Sequence, residues 1–245
     1  HYILDLGDCF GSVWQWDGIS RRLGHAYYFD FEYVAADFLT LGLVERPWHR
    51  AQRTGGIFNY FSARDFVPED WRGGYPNPAF SRMTEADGAW MARIIAHFDE
   101  PKISTAVAVG QWAPESARYL VQTLLQRRQA ILKRYLGRLS PISKLEVVGD
   151  RLCGVDLARA TGVVPDEGVS YRARLLRSGS QLPLDGITTA AGGQVCVTLP
   201  RAADGGQGDT DRRYLVVEIM NGYAEGPLRA HVYDLGRRGL RLVGI

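Results

Sequence analysis

The chain has 245 residues, 46% of them apolar and 23% charged, the balance of a folded globular protein with room for one large domain or two ordinary ones. Basic residues number 29 against 27 acidic ones, a net charge of +2 that excludes a strongly basic nucleic-acid or anionic-membrane binder. No run of the sequence approaches the ~18 consecutive apolar residues of a membrane-spanning helix.

The chain opens at His1 rather than Met, directly on the strand-like Tyr2-Ile3-Leu4, with no charged and apolar leader. It reads as a fragment of a longer protein. Between residues 26 and 44, the spacing of Tyr27, Tyr28, Phe31, Val34, Phe38 and Leu41 predicts a helix packed on the core. Residues 46 to 83 are rich in Pro, Gly and aromatics and predict a long ordered loop, functional or wedged between elements. Thr84-Glu85-Ala86-Asp87 resembles a helix cap. After it Trp90, Met91, Ile94, Ile95 and Phe98 recur at helical spacing, a stripe expected to be buried. A longer helix is predicted from Pro114 to Leu139, stopped by Ser140-Pro141.

Beyond Pro141 the period shortens. Leu145–Val148, Tyr171–Leu175, Val195–Leu199, Tyr214–Ile219, Leu228–Tyr233 and Leu240–Val243 read as short strands between Gly, Asp and Ser clusters. Such a pattern predicts an antiparallel sandwich-like module. The fold class is therefore α+β, a mainly helical part over residues 1–142 followed by a β domain over 143–245. Cys9, Cys153 and Cys196 are odd in number and far apart, with no CxxC, so neither a disulfide framework nor a zinc site is expected.

The segment His1-Tyr2-Ile3-Leu4-Asp5-Leu6-Gly7-Asp8-Cys9-Phe10 carries the most chemistry. Apolar residues lead into an Asp, then an apolar residue, then Gly. In kinase-type phosphoryl transfer, an Asp at a strand end holds the Mg2+ that bridges the phosphates. The following Gly lets the chain turn sharply away. This run resembles the metal-binding segment of phosphoinositide-kinase-like enzymes, His-Ile-Asp-Phe-Gly-Asp-Cys-Phe, with one extra residue before the Asp and Leu6 in place of Phe.

A broader resemblance spans nearly the whole chain. HYILDLGDCFGS, WQWDGISRRLGHAYYFD, YPNPAFSRMTEADGAWMARIIAHF, ILKRYLGRLSPI and HVYDLGRRGLRLVGI are similar to the C-terminal part of an uncharacterised bacterial family with a kinase-like core and a β-rich tail. The resemblance implies a kinase-like helical lobe fragment using Mg2+ and ATP. Asp5 would be the metal ligand, with Gly7 and Asp8 on the cofactor side. It further implies that the phosphate-contacting Lys and the catalytic loop lie upstream, that this fragment alone is inactive, and that the protein is exported. The alternative is a non-catalytic scaffold with a degenerate kinase-like core, meeting a protein partner through the β domain.

Other constellations fit a function less well. His25, His49 and His97 lack metal-ligand spacing, and Phe10-Gly11-Ser12-Val13-Trp14 lacks the nucleophile-elbow pattern. Asp30 and Glu32, set among aromatics, offer a glycosidase's carboxylate pair, but two carboxylates at this spacing diverge on a helix. Arg118, Arg127, Arg128, Lys133, Arg134 and Arg138 on the long helix could meet phosphates. Because every basic residue except Lys102, Lys133 and Lys144 is arginine, a solvated face is the plainer reading and nucleic-acid binding the weaker one. Tyr214, Tyr223 and Tyr233 are the aromatics with which the β domain could meet a glycan.

Overall fold

The computed structural model describes residue 10 and residues 21–54, 56–177, 180–201 and 213–245. These form two compact units, one built from His1–Thr84 and Phe98–Ile131, the other from Glu85–His97 and Leu132–Ile245. The helices are α1 (Phe31–Leu39), α2 (Pro78–Ser81), α3 (Glu85–Ile95), α4 (Glu100–Val109), α5 (Pro114–Tyr135) and α6 (Leu157–Ala160). The strands are β1 (Ile142–Val148), β2 (Arg151–Asp156), β3 (Arg172–Arg177), β4 (Ser180–Leu184), β5 (Ile187–Ala190), β6 (Gln194–Thr198), β7 (Tyr214–Met220), β8 (Leu228–Asp234) and β9 (Leu240–Gly244). The chain is α+β, and the change from helix to strand falls between Tyr135 and Ile142. No described helix is long and apolar enough to cross a membrane.

In the first unit, Phe58, Ile103, Val107 and Leu120 form a small core, with Phe61, Trp112, Tyr119 and Leu124 packed against it. Its α4 starts from Asp99, whose carboxylate accepts the Lys102 amide at 3.1 Å, and turns Ile103 and Val107, one turn apart, inward. The helix expected between residues 26 and 44 exists as α1, but it meets the interior through Tyr33, edge-on to the buried Trp48 at 4.9 Å, and not through the expected stripe. None of its residues is buried, and Phe31, Phe38 and Leu39 are exposed. Helical spacing orders side chains around an axis; it does not say that a partner meets them.

In the second unit, α3 corrects the expected buried stripe. Trp90, Met91 and Ile94 are exposed, while the small residues Gly88, Ala89, Ala92 and Ala96 are buried; Phe98, which opens the next segment of the first unit, is exposed too. The reason is steric. A Cβ on Gly88 would stand 2.5 Å from the Tyr135 ring, so only a bare backbone admits that ring. Glu85, at the start of the helix, accepts two bonds from Arg134, at 2.8 and 3.2 Å. The long helix ends at Tyr135, four residues before the expected Leu139.

The strands make two antiparallel sheets, ordered β1-β2-β6-β5 and β4-β3-β7-β8-β9. Alternation places Leu215, Val217 and Ile219 of β7 and Leu228, Ala230 and Val232 of β8 inward, where they share one core with Leu152, Val195 and Val197 of the other sheet. Both β4 and β5 are edge strands, and Pro183 of β4 sits where a missing amide donor costs least. Cys153 and Cys196 stand opposite each other on β2 and β6, 4.0 Å apart at Cα, and are joined by a disulfide. The expectation of no disulfide is thereby corrected: strand register brought together cysteines 43 residues apart in sequence.

Asp156 closes the sandwich unit's polar interior. It caps α6 by accepting the Ala158 and Arg159 amides at 3.1 and 3.2 Å. It also accepts the Tyr171 and Tyr223 hydroxyls at 2.7 Å each. A Cβ on Gly193 would come within 2.3 Å of the Asp156 carbonyl, so the approach of that turn requires glycine, at φ +78°.

Candidate functional site

The first unit encloses a cavity of about 390 Å³. Residues 21–25, 51–67 and 71–74 contribute to its walls, together with Phe10 and with Arg127 of α5. Two walls are tied to each other by an antiparallel bridge, in which Gly24 and Arg72 exchange backbone bonds of 3.2 Å. The helix α5 fixes a third: the Tyr119 hydroxyl donates to the Phe61 carbonyl at 2.8 Å, and Arg127 Nε donates to the Ser62 carbonyl at 2.7 Å. A tight turn at Asn59, whose φ is +49°, completes that wall. Its carbonyl accepts from Thr54 N at 2.8 Å and Thr54 Oγ1 at 2.7 Å.

Arg127 is the central charge. Its guanidinium lies over the rings of Phe61 and Phe66, at 4.1 and 4.6 Å from their centroids. Among the described residues no carboxylate pairs with it, and burial pushes its pKa down to about 10, still a full cation at neutral pH. Arg21 reaches over Tyr60 at 5.9 Å, and its Nε is buried without a hydrogen-bond partner. Burial also lowers the pKa of His25; Asp65 works against that shift and Arg127 adds to it. Asp65 is the one acid among the described residues of the lining. It is exposed, with Arg64 Nε 3.8 Å away. Three arginines and a half-buried imidazole beside aromatic rings make a lining suited to an anion.

Asp5, Gly7 and Asp8, the residues predicted to serve metal and cofactor, lie outside the described residues. Phe10, two positions after Asp8, lines the cavity and meets Phe61 edge-on at 5.3 Å. Of the three histidines considered, only His25 lines the cavity. His49 accepts the Arg46 amide through Nδ1 at 3.3 Å, and His97 is exposed beyond α3. Asp30 precedes α1 and Glu32 lies in its first turn, where the two diverge around the helix axis. The basic residues of the long helix form no common stripe: Arg127 lines the cavity, whereas Arg134 and Arg138 bind Glu85. Tyr223, one of the aromatics considered for a glycan, spends its hydroxyl on Asp156. Among the described residues no group of three His, Cys, Asp or Glu is placed to hold a metal ion. The described lining therefore fits an anion rather than a cation.

Sequence reasoning passed over Arg127 as part of a solvated face. A signal was present. Leu120, Leu124, Arg127 and Ile131 are spaced by four, three and four residues, so the arginine occupies a position of the apolar stripe. A charge in that register has to be accommodated by the interior. The rest of the cavity comes from loop positions with no such periodicity.

No family model matches the chain, and no curated protein or solved structure does.

Proposed function

We propose that the chain belongs to a kinase-like phosphotransferase that moves a phosphoryl group from Mg2+-ATP to an acceptor, with Asp5 as metal ligand, Gly7 as the turn residue and Asp8 beside it. The likeness of the segment His1 to Phe10 to phosphoinositide-kinase-like enzymes supports this reading. The single structural observation that carries it is the position of Phe10, in the wall of a cavity whose titratable side chains among the described residues are Arg21, Arg72, Arg127, His25 and one acid, Asp65. The chain that leaves the Asp5–Asp8 segment thus enters surroundings suited to a phosphate-bearing group. A magnesium ion bound at Asp5 would neutralise charge developing on the phosphates. The arginines' part is to hold and orient the anion. The Cys153–Cys196 bridge supports residence in an oxidising compartment, as the resemblance implies.

The test is calorimetric titration of Mg2+-ATP into the full-length protein and its Asp5→Asn variant, with turnover measured on both. At least a tenfold loss in the variant is expected. Equal affinity and equal turnover would remove Asp5 from the metal site.

A binding protein with a degenerate kinase-like core, contacting partners through its β unit, is the second reading. Leu6, where the resembled segment carries Phe, favours it. Saturable nucleotide binding without turnover in the wild type would select it.

A further inference from the structure

We propose that the cavity of the first unit binds a small organic anion, a carboxylate or phosphate group carried on a flat ring. The argument begins with charge. Among the described residues, Arg21, Arg72, Arg127 and His25 line the cavity against a single acid, Asp65, which is exposed rather than paired with Arg127. A guanidinium has five N–H donors. The described residues accept one hydrogen bond from Arg127, at Ser62, and leave the buried Nε of Arg21 without an acceptor. Burying donors and charge without partners is costly, and an oxyanion from outside supplies both the acceptors and the countercharge.

The aromatic residues set the rest of the ligand. Phe61 and Phe66 already flank Arg127, and Tyr60 and Trp71 add two more rings to the walls. Surfaces of this kind favour a planar apolar body next to the anionic group, by stacking and by edge contacts. Volume sets the scale. A cavity of about 390 Å³ lies within the range of small-ligand sites, with room for one ring system and one anionic group. The proposal stands without the phosphotransfer reading.

The test is calorimetric titration of the whole chain with phenyl phosphate, benzoate and benzylamine, in buffer free of magnesium and nucleotide. Saturable binding of one phenyl phosphate or one benzoate per chain is expected; the tighter of the two names the oxyanion. Benzylamine, with the same ring and opposite charge, should bind at least tenfold more weakly. Arg127→Met keeps much of the packing between the two phenylalanine rings and should weaken the anion at least tenfold. Should that variant fail to fold, Arg21→Gln is read instead, with at least a threefold loss expected. The proposal is overturned if neither anion saturates, if benzylamine binds as tightly as the anions, or if the folded variant binds like the wild type. Because the titration holds neither metal nor ATP, its result is independent of the Asp5 experiment.

Discussion

In the sandwich unit, Asp156, Glu218 and Asp234 are each 1% exposed or less, and each has partners. Asp156 holds two backbone amides and two tyrosine hydroxyls. Glu218 lies between Arg174 and Arg229, its register neighbours on β3 and β8, at 2.5 and 2.6 Å. Asp234 accepts the Gly236 amide at 2.8 Å. In the first unit, by contrast, the half-buried Arg127 has, among the described residues, one carbonyl, two rings and no acid. Charges of the first kind hold structure together, since removing one strands its partners. Against the described residues Arg127 leaves part of its desolvation cost uncompensated, as charged groups in functional clefts do.

The largest effect expected from this contrast is on stability in the sandwich. Asp156→Ala removes a helix cap and leaves two half-buried tyrosine hydroxyls without this acceptor. It should cost about 3–5 kcal/mol in urea unfolding. A cost below about 1 kcal/mol would show that the network is not structural and would erase the distinction between the units. Next in size is the disulfide: the Cys153→Ala/Cys196→Ala double variant should lose about 2–4 kcal/mol in the same measurement. Wild-type protein under reducing conditions should lose a similar amount.

The smallest effect sharpens the other side of the comparison. Unfolded, His25 takes up a proton near 6.5; folded, burial holds its pKa lower, against the pull of Asp65 and with the help of Arg127. Below about pH 6.5 the unfolded chain therefore binds more protons, and the first unit loses stability as pH falls through this window towards the folded pKa. His25→Asn should flatten that slope. An NMR titration of His25 should show its midpoint below the ordinary value, moving up in Arg127→Met.

What the sequence discloses depends on where its information is stored. The long helix is legible because proline opens it and an apolar stripe recurs along more than five turns. The strand β7 is legible because Leu215, Val217 and Ile219 alternate strictly. The strand β2 escaped notice because Cys153 and Gly154 interrupt its apolar character, and β4 because Pro183 argues against a strand unless it lies at an edge. The helix α4 carried readable signals in Asp99 and Pro101, but only Ile103 and Val107 mark its buried face. On α3 the period is right and the face reversed, since the bulk of Tyr135 selects the side with no side chain in its way. The candidate site is harder still. Among the described residues its charges come from residues 21–25, 65, 72 and 127. Only tertiary contact joins them.

The bridge between Cys153 and Cys196 has a topological consequence. Between the two sulfurs the chain leaves one layer of the sandwich, supplies β3 and β4 to the other, and returns as β5. The bond therefore closes a covalent ring threaded through both layers. A protease that nicks this ring once opens it but releases no piece, and the two ends stay tethered until the sulfurs are reduced.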